Sequence, residues 1–499
     1  MTGRAAGRYG DDGVLVPPAR MAEVDRAAIA GGVPGPRLME AAGRAVTRAV
    51  VAAFAPQPVL VLCGPGNNGG DGYVCARQLA AAGWQVRVAA LDPVAALHGD
   101  AAWARSTWSG PVEAVDPELA GTPALVVDAL FGAGLSRDLD GAARRTVCRL
   151  GELGKQVVAV DVPSGIDGTT GAVRGAAPMA ALTVTFARLK PGHVLLPGRL
   201  HCGRTLLADI GIPDSVVAAH DDGLRVNAPA RWASLLPERV PDGHKYRYGH
   251  AVVVGGGPAS TGAARLAARA AARVGAGLVT VAAVPAAIPA YAAHLTTVMT
   301  RPVADEAAWS GLLADRRLSA FLIGPAAGIG VETRTRVRSL LANGRPLVLD
   351  ADALSSFADD PSALLGQLHP SCVLTPHDGE FARLFAHRGD RLSRARAAAA
   401  QAGAVVVLKG ADSVIAAPDG RASVQPEAPP ALATAGTGDV LAGLVLGLLA
   451  QGLPAFEAAS AAVWLHAAAA AGSTAGLMAE DLPDRVPAVL DALRRIPPP

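Results

Sequence analysis

The 499-residue sequence predicts an α/β protein built as two three-layer domains, and three observations carry that expectation. Short apolar runs rich in Val, Leu and Ala alternate with helical stretches, the pattern of a parallel sheet covered by helices on both faces. The alternation stops near the middle of the chain and then resumes. The polar residues gather at the carboxyl ends of the apolar runs, where open parallel sheets bind their ligands.

In the first half, residues 19–51 read as two amphipathic helices broken at Gly31-Gly32-Val33-Pro34. Strands are expected at 59–63, 86–91, 124–128, 157–161 and 182–186, with helices between them at 74–82 and 141–153. Residues 212–247 lose the rhythm: Pro213, Pro229, Pro237, Pro241, Asp221-Asp222-Gly223 and Asp242-Gly243 mark a linker. A second series follows, with strands at 251–254, 278–282, 321–323, 347–350, 373–375, 405–408 and 414–416. The domains are expected to span 1–222 and 228–499. The two halves share no loop motif, so no internal repeat is read.

Composition bounds the function. A chain of this length exceeds one core, and 51% hydrophobic residues with 18% charged ones describe a globular protein. A net charge of +2 leaves no footprint for nucleic acid. Cys63, Cys75, Cys148, Cys202 and Cys372 form no CxxC pair, which points to a reducing cytoplasm without a disulfide framework or structural metal. Arg4, Arg8, Asp11 and Asp12 interrupt the first twenty residues, so no signal segment is expected. The apolar run 440–450 is too short to span a bilayer, and 458–472, with Trp464 and His466, reads as a packed helix. Of 45 basic residues only Lys155, Lys190, Lys245 and Lys409 are lysine. In a chain that otherwise uses arginine, each can mark a place where a compact ammonium is wanted.

The first candidate site follows strand 59–63. Gly64, Gly66 and Gly69 satisfy GxGxxG after a strand, with Asp92 at the next strand end, which gives the Rossmann-like dinucleotide fingerprint its usual context. Pro65, Asn67, Asn68 and Asp71 make the loop unusually polar for a redox cofactor. The simpler reading is a polar turn held by local hydrogen bonds. Asp128, Asp161 and Ser164 fall on the same rim. Oxygens from Asn68, Asp128 and Ser164 suit a hard cation. The loop Phe131-Gly132-Ala133-Gly134-Leu135-Ser136-Arg137-Asp138 offers backbone amides and an arginine to a phosphate.

The motifs Met39-Glu40-Ala41-Ala42-Gly43-Arg44-Ala45, Asn67-Asn68-Gly69-Gly70-Asp71 and Asp161-Val162-Pro163-Ser164-Gly165 resemble the NAD(P)H-hydrate epimerase family over about residues 19–215. Ala41 departs from the family's usual asparagine. The resemblance implies interconversion of the R and S forms of 6-hydroxylated NAD(P)H. It further implies K+ held by Asn68, Asp128 and Ser164, and Asp161 in contact with the hydrated ring, moving its protons. Asn67–Asp71 and Gly132–Asp138 are then the cofactor-binding loops.

The second candidate site centres on Ala435-Gly436-Thr437-Gly438-Asp439, a glycine turn opening an apolar helix. Backbone N–H groups converge there on an anion, and Asp439 sets a carboxylate beside it. The simpler reading makes Asp439 a helix cap. Lys409 offers a point charge, and Gly410, Ala411, Asp412 and Ser413 offer amides to a nucleotide phosphate. Thr375-Pro376-His377-Asp378-Gly379-Glu380 gathers three polar side chains in a turn. These segments resemble the ribokinase-like family, in its NAD(P)H-hydrate dehydratase branch, over about 240–490. At Gly324-Pro325-Ala326-Ala327-Gly328 the family tends to have a third glycine where this chain has Ala326.

The resemblance implies a ribokinase-like sheet and removal of water from the hydrate by phosphoryl transfer from ADP, with Mg2+ neutralising the phosphates. Asp439 takes the hydroxyl proton. The amides of Ala435, Gly436, Thr437 and Gly438 stabilise the transferring phosphate. Ala263, Gly328 and His377 meet the hydrate. A cytoplasmic homo-oligomer acting on hydrated NADH or NADPH is expected, with no nucleic-acid or membrane partner. Two alternatives stand beside this reading: a ribokinase-like kinase of a vitamin-type alcohol, and a non-catalytic nucleotide-binding first domain.

Overall fold

A computed structural model describes residues 12–94, 96–121 and 123–495. Arg4, Arg8 and Asp11 lie outside the described residues. The chain divides into two compact units, one ending at Val226 and the other beginning at Asn227.

In the first unit, β1 (Val59–Cys63), β2 (Val86–Ala90), β3 (Val112–Ala114), β4 (Leu125–Ala129), β5 (Gln156–Val160), β6 (Leu182–Phe186) and β7 (Arg204–Ala208) form one sheet. Its order is β3-β2-β1-β4-β5-β6-β7, and every pairing is parallel. The period of two along each strand sorts the side chains into two cores. Val59, Val61 and Cys63 join the core shared with helices Gly35–Ala53 and Asn67–Ala81. Leu60 and Leu62 join the one containing Val147 and Leu150 of helix Gly141–Glu152. A short strand β8 (Leu224–Val226) closes the unit, its Arg225 bridged antiparallel to Val14.

The strand order reverses between β1 and β4, so the loops after these strands diverge and leave a crevice. Two close approaches shape it. A Cβ on Gly64 would stand 1.7 Å from the Leu130 carbonyl oxygen, and one on Gly69 would stand 2.0 Å from that of Gly64. These glycines let the helix start directly at the crevice. The helix begins at Asn67, not near residue 74 as the pattern suggested, so Asn67 to Asp71 are its first turn. The Met39 motif lies against that turn: a Cβ on Gly43 would meet Val74 at 2.5 Å.

In the second unit, β9 (His250–Val254), β10 (Leu278–Ala283), β11 (Met299–Pro302), β12 (Ala320–Ile323), β13 (Leu347–Leu349), β14 (Cys372–Leu374), β15 (Val405–Leu408), β16 (Val414–Ala416) and β17 (Ala422–Val424) follow the order β11-β10-β9-β12-β13-β14-β15-β16-β17. Pairings are parallel from β11 to β15, then antiparallel through β16 and β17. Helix Thr437–Ala450 is buried along nearly its whole length between the sheet and helices Gly262–Arg273 and Ala455–Ala469. Gly443 and Gly447 allow this depth, because their missing side chains admit the backbone of Ala267 and Ala271.

The segment read as a linker is folded. It contains helix Asp214–Ala219 and β8, and it buries Val217, Leu224, Val226 and Trp232. Its proline and glycine density marks turns between short packed pieces. Among the described residues no helix is long and apolar enough to cross a membrane.

Four non-glycine residues adopt positive φ: Asp161 (64°), Ala187 (58°), Ala326 (56°) and Ala351 (47°). All follow closely on strand ends, where strain of about 1–3 kcal/mol per residue is held in place by surrounding structure. Two stability predictions follow from these contacts. Gly443→Val puts atoms where the Ala267 carbonyl oxygen lies 2.2 Å from a Cβ, and is expected to cost about 1–3 kcal/mol and lower the thermal midpoint. Ala326→Gly removes a left-handed penalty and is expected to raise the midpoint by up to about 1 kcal/mol of stability. Thermal denaturation of the full chain checks both.

Candidate active sites

At the first crevice, Asp161 sits one residue beyond β5. Its Oδ1 accepts hydrogen bonds from Lys190 Nζ (2.8 Å) and Thr185 Oγ1 (2.8 Å), and its Oδ2 accepts from the Ala133 N–H (2.9 Å). A Cβ on Gly132 would lie 3.1 Å from Asp161 Oδ2 and 3.0 Å from Asn68 Oδ1, so the loop after β4 must be bare where these two side chains meet it. Burial works against the Asp161 charge. The Lys190 ammonium and the hydrogen bonds overcome it and hold the carboxyl down at about 2. The carboxylate is ionised at any working pH.

Asp128 is fully buried. Ser164 donates to it twice, from Oγ to Oδ1 at 2.6 Å and from its N–H to Oδ2 at 2.8 Å. Burial raises its pKa, and no basic side chain pairs with it among the described residues. Beside it, the Asn68 side-chain amide nitrogen is buried without a hydrogen-bond partner. Asp71 is likewise buried, and its pKa is pushed well up by burial and by the charges of Asp161 and Asp25.

Asn68, Asp128, Asp161, Ser164, Gly132 and Ala133 thus come together, while two expectations change. The Ala133 amide is committed to Asp161 and is not free for a phosphate. Arg137 and Asp138 stand exposed on the outer part of the loop, beyond Gly134, Leu135 and Ser136. The sequence reading singled out Lys190 only as a rare lysine, and it passed over Thr185 and His193.

The second site forms at the ends of β13, β14 and β15 and the start of helix Thr437–Ala450. Gly436 caps the helix with φ of 88°, and the Thr437 hydroxyl donates to the Leu432 and Thr434 carbonyls at 2.9 Å, tying down the turn. The Thr437 N–H is taken by the Thr434 carbonyl (3.4 Å) and that of Val440 by the Gly436 carbonyl (3.2 Å), which leaves the Gly438 and Asp439 amides of the first turn as donors. Lys409 Nζ lies 3.6 Å from where a Gly438 Cβ would be. It pairs with Asp350 Oδ1 at 2.8 Å and stands 3.8 Å from Glu380 Oε2. Burial opposes the Lys409 charge, but Asp350, Glu380 and Asp439 outweigh it and raise its pKa.

Asp439 is half-buried and has no such partner. Burial, with the charges of Asp350 and Asp352, lifts it to about 6 in spite of Lys409. A carboxylate that titrates near neutrality is matched to taking a proton from a hydroxyl.

Other expected residues take different parts. His377 caps helix Asp378–Leu384: its Nδ1 accepts from the Gly379 and Glu380 N–H groups at 2.9 and 3.2 Å. The ring is largely exposed, and a β-bridge joins His377 to Lys409. In the loop Lys409 to Ser413, the Gly410 N–H is taken by Ser413 Oγ (3.0 Å), and Asp412 is buried against Arg391 (3.2 Å). That loop is therefore preshaped by its own side chains, leaving fewer amides for a phosphate than expected, with Ala411 between them. Gly328 is reached from the carboxylate cluster, its N–H donating to Asp352 Oδ2 at 2.9 Å. Ala263 lies in the first turn of helix Gly262–Arg273. Asp350, Asp352 and Glu380 were visible in the motifs without a role; their signal was their position at strand ends.

Comparison with known proteins agrees with this division. The family profile described as NAD(P)H-hydrate dehydratase matches residues 251–489, and that of the YjeF-related protein N-terminus matches 35–192. The bifunctional NAD(P)H-hydrate repair enzyme of Salinibacter ruber is 39% identical, over 92% of this chain and 92% of that protein. Its counterpart in Moorella thermoacetica is 39% identical, over 95% and 96%. Among solved structures, the ADP/ATP-dependent NAD(P)H-hydrate dehydratase from Bacillus subtilis, co-crystallized with ATP/Mg2+, is 31% identical; it covers 54% of this chain and 98% of that chain, with a TM-score of 0.47. With such identity sustained along nearly the whole length of its curated relatives, the chain belongs to the family of bifunctional NAD(P)H-hydrate repair enzymes.

Proposed function

We propose that this chain repairs hydrated NADH and NADPH: the first unit interconverts the R and S hydrates, and the second removes water from the S hydrate using a phosphoryl group from ADP. The observation that carries the reading is the match of both halves of the chain to relatives named bifunctional NAD(P)H-hydrate repair enzymes, with the second half matching the NAD(P)H-hydrate dehydratase profile. A vitamin-alcohol kinase with a non-catalytic first unit has no such support.

In the second unit, Asp439 takes the proton of the C6 hydroxyl as its oxygen bonds to the terminal phosphorus of the nucleotide. AMP leaves when the nucleotide is ADP. The amides at Gly436 and Gly438, with Lys409, meet the negative charge of the transferring group, while the Thr437 amide is held by the Thr434 carbonyl. The phosphorylated oxygen then departs as inorganic phosphate with loss of the C5 proton, and the C5=C6 double bond of the reduced nicotinamide returns. Magnesium fits this site. Asp350, Asp352, Glu380 and Asp439 exceed the charge of Lys409 even before a polyanion arrives. No trio of His, Cys, Asp or Glu among the described residues is close enough to cage a metal alone, which suits an ion carried largely on phosphates. When bound, it would neutralise them.

In the first unit, exchange at C6 requires a proton to move at the C6 oxygen, and Asp161 is the group proposed to do this. Potassium fits the oxygens of Asn68, Asp128 and Ser164, because Asp128 is a fully buried carboxylate with no basic partner among the described residues. When bound, it would supply the missing positive charge. A cytoplasmic setting and a homo-oligomer belong to the same proposal.

Racemic hydrate mixed with the chain, ADP and Mg2+ is expected to return its whole pool to the absorbance of reduced nicotinamide. Recovery of about half would remove the first activity, and none would remove the second. For the second site, kcat/KM of S-hydrate dehydration is expected to fall as pH drops through about 6, where free Asp439 gains its proton. Asp439→Asn should abolish that limb and lower kcat by ~10²–10⁴-fold, measured by initial rates across pH.

A further inference from the structure

Lys190 is one of four lysines in the chain, and it is buried at the first site with 3% of its surface exposed. An ammonium carries three donors. Here all three are used: Asp161 Oδ1 at 2.8 Å, Thr185 Oγ1 at 2.9 Å and the Phe186 carbonyl at 3.2 Å. Thr185 passes its own proton to the same Asp161 oxygen. Oδ1 is thereby saturated from one side. Oδ2 holds only the Ala133 amide and opens toward Gly132 and Asn68.

A second connection closes the circle through the backbone. The Lys190 N–H donates to His193 Nδ1 (2.9 Å), and His193 Nε2 donates to the Asp161 carbonyl (2.8 Å). Burial and the Lys190 charge depress the His193 pKa to about 4, so the ring is neutral with its proton on Nε2. Asp161 and Ala187 both hold left-handed backbone at neighbouring strand ends. The network takes the Asp161 carbonyl and, beside Ala187, the Phe186 carbonyl. With the strained turn at Asp161, these contacts aim a single carboxylate oxygen.

We propose that Lys190, with His193, is the positioning element of the epimerisation site: it presents Asp161 Oδ2 to the hydrate and acts only through that carboxylate. This rests on Asp161 as the group that works on the hydrated ring. Lys190 itself has no free N–H with which to reach substrate. A buried carboxylate robbed of its cation would be left uncompensated, free to turn, and penalised by the medium.

The test uses the full chain without ADP, following exchange between separated R and S hydrates by chromatography. Lys190→Met is expected to lower kcat on the order of 10²-fold with KM changed only a few-fold, since a small displacement of a reacting group is enough. Lys190→Arg keeps a cation and should recover part of the loss. ADP-dependent dehydration of S hydrate reports that the second unit is intact in every variant. Asp161→Asn removes the charge, and asparagine tolerates the left-handed backbone. In that background Lys190→Met should cost nothing further, and this charge-balanced double variant also covers a Lys190→Met chain that fails to fold. An equal cost of Lys190→Met in both backgrounds, or an unchanged kcat in the single variant, overturns the proposal. Full exchange by Asp161→Asn overturns instead the role of Asp161 beneath it.

Discussion

A lysine ammonium drawn into the carboxyl edge of each sheet, buried at Lys190 and half-buried at Lys409, is the interaction on which both sites depend. Parallel strands deliver their polar residues to one rim, so carboxylates accumulate there: Asp128 and Asp161 in one unit, Asp350, Asp352 and Asp439 in the other. Gathering them in a crevice of low dielectric is unfavourable without a countercharge. Lys190 meets Asp161 and Lys409 meets Asp350, each at 2.8 Å. The remaining lysines do no such work. Lys155 reaches a surface carbonyl and Lys245 lies over the Tyr246 ring.

The same device gives the two sites opposite electrostatics. In the first, the lysine hydrogen-bonds the proposed working carboxylate itself, and Asp161 is driven down to about 2. In the second, the lysine hydrogen-bonds Asp350 at the end of β13, two strands over, and Asp439 is left to rise to about 6. The position of one ammonium thus sets where each carboxylate titrates. Asp161, as the proposed proton carrier of the first site, would hold a proton only briefly, whereas Asp439, as the proposed base of the second, would hold one while a phosphoryl group moves.

Much of the frame was readable because central parallel strands are continuous apolar runs. Strands at 59–63, 182–186, 405–408 and 414–416 fall on the residues expected, and the other expected strands differ by one residue at one or both ends. What escaped lay at the margins. β3, β7 and β11 are short or carry polar residues, as edge positions permit, and β17 is three residues long, so they lack the apolar signal. The helix start at Asn67 was hidden because Asn-Asn-Gly-Gly has turn composition, and only the close packing of Gly69 and Gly43 makes it helical. Asp161 was expected inside a strand. Its left-handed backbone sits in contacts from partners distant in sequence, its N–H donating to the Val184 carbonyl and its carbonyl accepting from His193 Nε2. Local pattern carries no trace of such contacts. His377 shows the converse: its capping role follows from the Glu380 three residues on, a purely local signal.

The two activities also make different demands on their scaffolds. Exchange at C6 relates epimers and needs no driving force, so the first site requires only a lowered barrier and an aimed oxygen. Its glycines and strained turns serve position. Expelling hydroxide needs it to become a better leaving group, so the second site must bind a second polyanion beside its own carboxylates. That is why the second site retains excess negative charge around Lys409, with a preshaped loop and a helix terminus to receive phosphate. Loss of phosphate then draws the S hydrate away, and the equilibrating site refills it from the R form without energy of its own.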